Sequence, residues 1–240
     1  MTSRYVPALM LSITLILSGC SPRERISNVS KSGSVIYIRG VITESTRNEV
    51  LNNSGEGLSL VIRSPGGSTD AALDIAEFVR INRIPVTVDG LCASACAQYV
   101  VAASPHRTIN DDGILIFHTS PFTWKEILDH QNAEHQTYAA ANNERINRIQ
   151  KLYSLVGIDV SILHCIDHNI DPIEGTFDVK SGRPPQVKTK YAGIYLDRPL
   201  LEKFGYTTLS RPTEPLPIDG GTGVFELDGS IYKHISIPIC

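Results

Sequence analysis

Between Ser34 and Ala103 the chain switches repeatedly between two hydrophobic rhythms. The stretch "SVIYIRGVIT" (34–43) sets β-branched residues at alternate positions, the pattern of a strand. "LSLVIRS" (58–64) is a near-continuous apolar run and predicts a strand buried on both faces. After Pro65-Gly66-Gly67 the period lengthens. Ala71, Ala72, Ile75, Phe78 and Val79 recur at helical spacing behind Ser68, a suitable N-cap, with Asp70 competing for that role. Ile84-Pro85 ends the helix, and "VTVDG" (86–90) starts the next strand. Strand, helix and strand within about 30 residues predict a βαβ unit with a right-handed crossover and parallel strands.

The pattern continues with an apolar helical run over 95–103 and two short strands, in "RTIND" and at 113–118. A helix over about 134–156 carries Ile146, Ile149, Tyr153 and Val156 on one face and stops at Gly157. A shorter helix covers about 160–168. Residues 169–190, rich in Pro, Gly and Lys, read as a loop, and 198–206 as a helix ending at Gly205. The segment 211–240 reads as an extension with a hairpin turning at Asp228-Gly229. The fold class expected is α/β, with repeated βαβ units forming a parallel sheet flanked by helices, over residues 34–210.

The amino terminus breaks this rhythm. Arg4 is followed by an apolar stretch from Val6 to Leu17, too short to span a bilayer, which takes about 20 residues. It reads as a secretory signal covering 1–19. Its end, Leu17-Ser18-Gly19-Cys20, resembles the lipobox of bacterial lipoproteins, which implies lipid on Cys20 and anchoring to a membrane rather than spanning it. Residues 20–33 then read as the lipidated cysteine and a polar tether, and the expected location is the periplasmic face of a membrane, the outer one in a Gram-negative cell. Four cysteines remain, Cys92, Cys96, Cys165 and Cys240. An exported chain permits disulfides among them, although spacing does not give the pairing.

Composition narrows the function. Charged residues make up 20% of the 240 residues and hydrophobic ones 42%, ordinary for a globular chain. The formal charge is −3, with no basic run, so no nucleic-acid partner is expected. The histidines form no spacing that predicts a metal site, and no cofactor is expected. The chemistry-bearing residues instead gather where strands end. Ser94 lies just past one strand, where open parallel sheets place their ligands. The Ala95 N–H, in the first turn of the following helix, lacks an intrahelical acceptor, and Gly67 offers a second backbone donor unobstructed by a Cβ. His118 closes a strand. A serine needs such a base to become a nucleophile, a carboxylate to orient that base, and backbone donors for the oxyanion. Cys92 is a weaker candidate nucleophile at the same corner.

The order "SPGGS", then "ASA" after the βαβ crossover, then a histidine at a strand end resembles the Clp protease proteolytic subunit family, of the wider Clp/crotonase fold. "LVIRSPGGSTDAALDIAEFVR" is similar to the family's glycine loop and helix, "VDGLCASACAQYVVAAS" to its nucleophile corner, and "RTINDDGILIFHTSP" to the strand carrying its base. Ser94 follows Gly67 by 27 positions and precedes His118 by 24. The resemblance implies a serine peptidase with Ser94 as nucleophile, His118 as base, and Gly67 and Ala95 as oxyanion donors. It implies Asp167 as the orienting carboxylate, 49 positions after His118, with Asp171 as the alternative. The substrate implied is a peptide or protein. The resemblance spans about 34–168, and "LLEKFGY" weakly echoes the family's closing helix. The segment after Asp167 is longer and richer in proline than in the family. Homo-oligomerisation is left open, because an exported chain has no ATP-driven unfoldase to feed a ring. The competing expectation is a non-catalytic binding or scaffold lipoprotein on the same fold. The lipobox reading makes one prediction. Cys20→Ser abolishes incorporation of radiolabelled palmitate and releases the protein from the membrane fraction; label retained by that variant rules out Cys20 as the acceptor.

Overall fold

The computed structural model describes residues 28–129, 136–170, 172–176, 186–206, 209–210, 224–227 and 230–235. Cys20, Asp171 and Cys240 lie outside them. The principal sheet begins with β1 (Val29–Ser32), antiparallel to β2 (Val35–Arg39). β1 lies inside the stretch expected to be tether. Only Val29 of its residues is apolar, packing against the core, and the other three are polar, so no alternation marked them as a strand; the turn at Gly33, φ 58°, folds them back onto β2. Helix α1 (Glu44–Leu51), capped by Thr43, connects β2 to β3 (Ser59–Ser64), which pairs with β2 in parallel.

The predicted βαβ unit is present as β3, α2 (Thr69–Ile81) and β4 (Val86–Ala93), with β3 and β4 parallel. Ser68 caps α2, its hydroxyl accepting from Ala71 N–H at 3.2 Å. Asp70 turns instead to Arg145, with contacts of 2.6, 2.9 and 3.1 Å. β3 alternates between buried and partly exposed positions rather than being buried on both faces. Leu60, Ile62 and Ser64 face the core, while Arg63 faces outward. Among the described residues the other face of β3 carries the half-buried Val61 and the exposed Arg63, so it accepts side chains of either kind.

β4 has two neighbours along one edge. Its first half pairs in parallel with β5 (Arg107–Ile109) and its second half with β6 (Ile114–Ile116). The register to β3 shifts between these halves, from Ile62 opposite Val88 to Ser64 opposite Cys92. The predicted helix at 95–103 is a π-helical turn, Cys96–Val101, whose side chains are all buried. It packs against α2, and α2 in turn packs against α1 and α4. α3 (Pro121–Asp129), α4 (Gln136–Val156) and α5 (Ser161–Asn169) complete the helical layer. Ile36, Ile38, Ile62, Ile75, Val79, Val86 and Val100 are inaccessible to solvent between helices and sheet.

The expected loop at 169–190 contains a short antiparallel pair, β7 (Pro172–Thr176) with β8 (Gln186–Thr189). β9 (Gly193–Leu196), helix α6 (Arg198–Lys203) and β10 (Leu209–Ser210) follow, β10 adding to the principal sheet beside β5. The tail hairpin is formed by β11 (Val224–Leu227) and β12 (Ser230–Ile235), and β12 pairs in parallel with β9. This second sheet packs Tyr195 and Tyr232 against Ile114 and Ile116. No helix among the described residues is long and apolar enough to cross a membrane.

Arg107 closes the π-helical turn. Its side chain is buried; Nε donates to the Val101 carbonyl at 3.0 Å and Nη2 to the Ala102 carbonyl at 2.6 Å. The guanidinium lies 5.2 Å from the centre of the Tyr206 ring. Arg107→Met keeps the stem but removes the donor to the Ala102 carbonyl and leaves the Val101 carbonyl with only Ser104 N–H, at 3.2 Å. The expected loss is about 1–3 kcal/mol of unfolding free energy, read by chemical denaturation.

Candidate active site

Ser94 follows directly on the last residue of β4 and has a left-handed backbone, φ 53°. For a residue with a side chain this conformation costs about 1–2 kcal/mol, so the surroundings must enforce it. Ser94 N–H donates to the Ile116 carbonyl at 2.8 Å, and its own carbonyl accepts from Gln98 N–H at 2.9 Å. A disulfide joins Cys92 to Cys96 across it, with Cα atoms 5.4 Å apart. That bond removes Cys92 as a nucleophile, because the sulfur carries no thiolate. Cys165 is also disulfide-bonded. The half-buried Ser94 hydroxyl makes no hydrogen bond among the described residues.

The Gly66-Gly67 loop lies against this corner. A Cβ on Gly66 would stand 2.7 Å from the Ala93 carbonyl oxygen, 2.8 Å from Ser94 Cβ and 3.1 Å from Ala95 N, so only glycine permits the approach. Gly67, at φ 145°, is held from the other side. Ile42 N–H donates to the Gly66 carbonyl at 2.8 Å, and the Ile42 carbonyl accepts from Ser68 N–H at 2.9 Å. Because peptide groups alternate along an extended segment, Gly67's own N–H points away from Ile42. Neither Gly67 N–H nor Ala95 N–H has an acceptor among the described residues. Gly67 is exposed. A shallow groove of about 410 Å³ lined by Arg39, Arg63, Pro65 and Leu91 lies on the Pro65 side of the loop.

His118 reaches the same rim through β6. Ile116 is in register with Ala93, so both chains leave the sheet side by side. Phe117 then exchanges two backbone hydrogen bonds with Ile194, at 2.7 and 2.8 Å. The His118 carbonyl accepts from Gln98 Nε2 at 2.7 Å, and the Gln98 carbonyl accepts from Tyr153 Oη at 2.7 Å. Gln98 therefore ties the turn after Ser94 to the backbone of the candidate base. The His118 Nδ1 atom lies 2.9 Å from Thr119 Oγ1. Ser94 and His118 share no hydrogen bond among the described residues. Burial holds the imidazole pKa below its ordinary 6.5, because the protonated ring loses hydration.

Asp167, on α5, comes to the same segment by a different contact. Its carboxylate accepts from Ser120 N–H at 2.9 Å and from Ser120 Oγ at 2.5 Å. Burial raises its pKa above 3.8, and the Ser120 hydroxyl and amide pull it back. The chain thus brings Ser94, His118, Gly67 and Ala95 to one rim, and fastens Asp167 to the residue two beyond His118 rather than to its ring. Four contributors escaped the sequence reading: Gln98, Thr119, Ser120 and the Cys92–Cys96 bridge. A signal existed for Gln98, the single amide in an otherwise apolar run. Ser120 carried none, since its role depends on α5 folding across it.

An α/β sheet with its candidate site at the carboxyl ends of parallel strands is the architecture these observations define. The Clp protease family model matches residues 30–153, and the chain belongs to the Clp protease family. Among solved structures, a ClpP1 variant from Listeria monocytogenes is similar at 19% sequence identity and a TM-score of 0.41, covering 55% of this chain and 77% of that one. No curated protein sequence matches the chain significantly.

The depressed His118 pKa has a definite sign. The folded chain binds fewer protons at this ring than the unfolded chain does. Its contribution to stability is therefore complete above pH 6.5 and is lost as pH falls through the folded-state value. An NMR titration of the His118 ring is expected to give a midpoint below 6.5. A midpoint at or above that value would contradict the desolvated environment.

Proposed function

We propose that this protein is a serine peptidase of the cell envelope, held at a membrane by lipid on Cys20. Ser94 Oγ attacks the acyl carbon of a peptide bond while His118, kept neutral by burial, takes its proton. The oxyanion of the tetrahedral intermediate is received by the Gly67 and Ala95 amides. His118 then passes the proton to the leaving amine, and water, deprotonated by the same ring, releases the acyl group from Ser94. Asp167 acts through Ser120, fixing the segment that carries the base. The substrate is a peptide or protein, as for Clp proteases, and homo-oligomers are compatible with this family. The observation that carries the reading is the left-handed Ser94 with two unengaged amides beside it. Ala95 N–H is buried without an acceptor among the described residues, which is rare in a protein interior, and the exposed Gly67 N–H belongs to the loop packed against Ser94.

One observation favours a second reading, a non-catalytic binding protein. The His118 Nδ1 contact goes to Thr119, and the Asp167 carboxylate is taken by Ser120, so no Asp-His-Ser hydrogen-bond chain is made among the described residues. Such contacts often tighten only when substrate is bound. A serine-reactive fluorophosphonate separates the two readings. The peptidase labels, and labelling falls roughly a hundredfold or more in Ser94→Ala and in His118→Ala. Folded protein that does not label supports the binding protein.

A further inference from the structure

Ser94 is the middle residue of a five-residue ring closed by the Cys92–Cys96 disulfide. One end of the ring is fixed in the sheet, where Cys92 is in register with Ser64 of β3 and Leu115 of β6. The other end opens the π-helical turn that packs on α2. Four peptide steps can extend over about 13 Å, whereas the bridge holds their ends 5.4 Å apart. The bridge therefore excludes an extended path between the two cysteines and closes the reversal in which Ser94 takes φ 53°. Without it, the main local restraints on the strained residue are two backbone hydrogen bonds, to Ile116 and from Gln98. Relaxation of φ toward negative values would change the direction of the Ser94 side chain and of the Ala95 amide that follows it.

We propose that the Cys92–Cys96 disulfide is a positioning element for Ser94, so that the nucleophile reaches full reactivity only after these two thiols are oxidised. The inference deepens the peptidase reading and rests on it for the meaning of that reactivity. Both cysteines are inaccessible to solvent in the folded chain, so the bridge is a brace set during folding rather than a switch thrown on the native surface. In the oxidation, the two thiols lose two protons and two electrons. With oxidised glutathione as the acceptor, its disulfide is cleaved to two glutathione thiols as the protein's S–S bond forms. A chain folded in a reducing compartment is then less reactive, and one folded after export is fully so.

The test uses the full chain refolded from the reduced state with and without oxidised glutathione, alongside the double variant Cys92→Ser/Cys96→Ser and the control Cys165→Ser. Two readouts are taken: the second-order rate of fluorophosphonate labelling, and amide hydrogen exchange at Gln98, whose N–H bonds the Ser94 carbonyl. The brace predicts labelling about tenfold slower and Gln98 exchange faster in the reduced chain and in the double variant. Glutathione disulfide restores both properties in the wild type and in Cys165→Ser, and neither in the double variant. Equal labelling and equal Gln98 protection in every form overturn the brace and leave the peptidase standing. A reduction effect that disappears in Cys165→Ser also overturns it, assigning the effect to the other disulfide. Loss of Gln98 protection without labelling in any form upholds the brace and removes the peptidase.

Discussion

The rest of the structure depends on β4 having two neighbours on one edge. The strand kinks at Asp89-Gly90, where Gly90 has φ 88° and its Cα lies so close to Arg63 that a Cβ would stand 3.0 Å from Arg63 Nε. Before the kink β4 pairs with β5; after it, with β6. That change of partner sets Ile116 beside Ala93 and carries His118 to the strand end from which Ser94 emerges. A straight β4 would continue along β5 and leave the base elsewhere. The kink also places Cys92 opposite Ser64, so the serine, the glycine loop and the imidazole leave the sheet at one level.

Order at this rim comes from buried polar contacts as well as apolar packing. Gln98 holds the His118 carbonyl, Tyr153 holds the Gln98 carbonyl, and Asp167 holds Ser120. Each contact joins segments distant in the chain, and each would be costly to leave half made. Together they fix backbone positions around the imidazole while burial disfavours a charge on the ring. Farther out, Asp70 and Asp74 share Arg47, Arg145 and Arg148, which links α1, α2 and α4. Exposed pairs of this kind contribute little singly. Their value here is geometric, because Ser68, the N-cap of α2, follows Gly67 and any shift of that helix would move the loop.

The second sheet gives the carboxyl-terminal segment a structural reason. β9 bridges to Phe117, next to the candidate base, and β12 joins β9 through Tyr232 opposite Gly193. Gly193 permits this approach, since a Cβ there would stand 2.4 Å from Ile116 Cγ2 and 2.8 Å from the Phe117 carbonyl oxygen. The tail hairpin thus buttresses the strand that presents His118. In the sequence it read as an extension beyond the domain.

What the sequence determined by itself was the local periodicity and the placement of breaks. Alternation in "SVIYIRG", the helical repeat from Ala71 to Val79, and Pro65-Gly66-Gly67 between them are nearest-neighbour effects, written into backbone sterics and side-chain branching. They were enough for the βαβ unit, the fold class and a short set of candidate residues. The tertiary structure alone decided which candidates meet and through what. That Asp167 bonds Ser120, that Thr119 lies against the His118 ring, that Cys92 pairs with Cys96 and that the run after Ser94 winds as a π-turn all depend on contacts between separated segments. So does β1, whose polar side chains carry no periodic signal and which forms because β2 offers it an open edge. Such contacts are selected by packing density and by the cost of leaving a polar group unpaired, and neither quantity is defined until the chain has closed on itself.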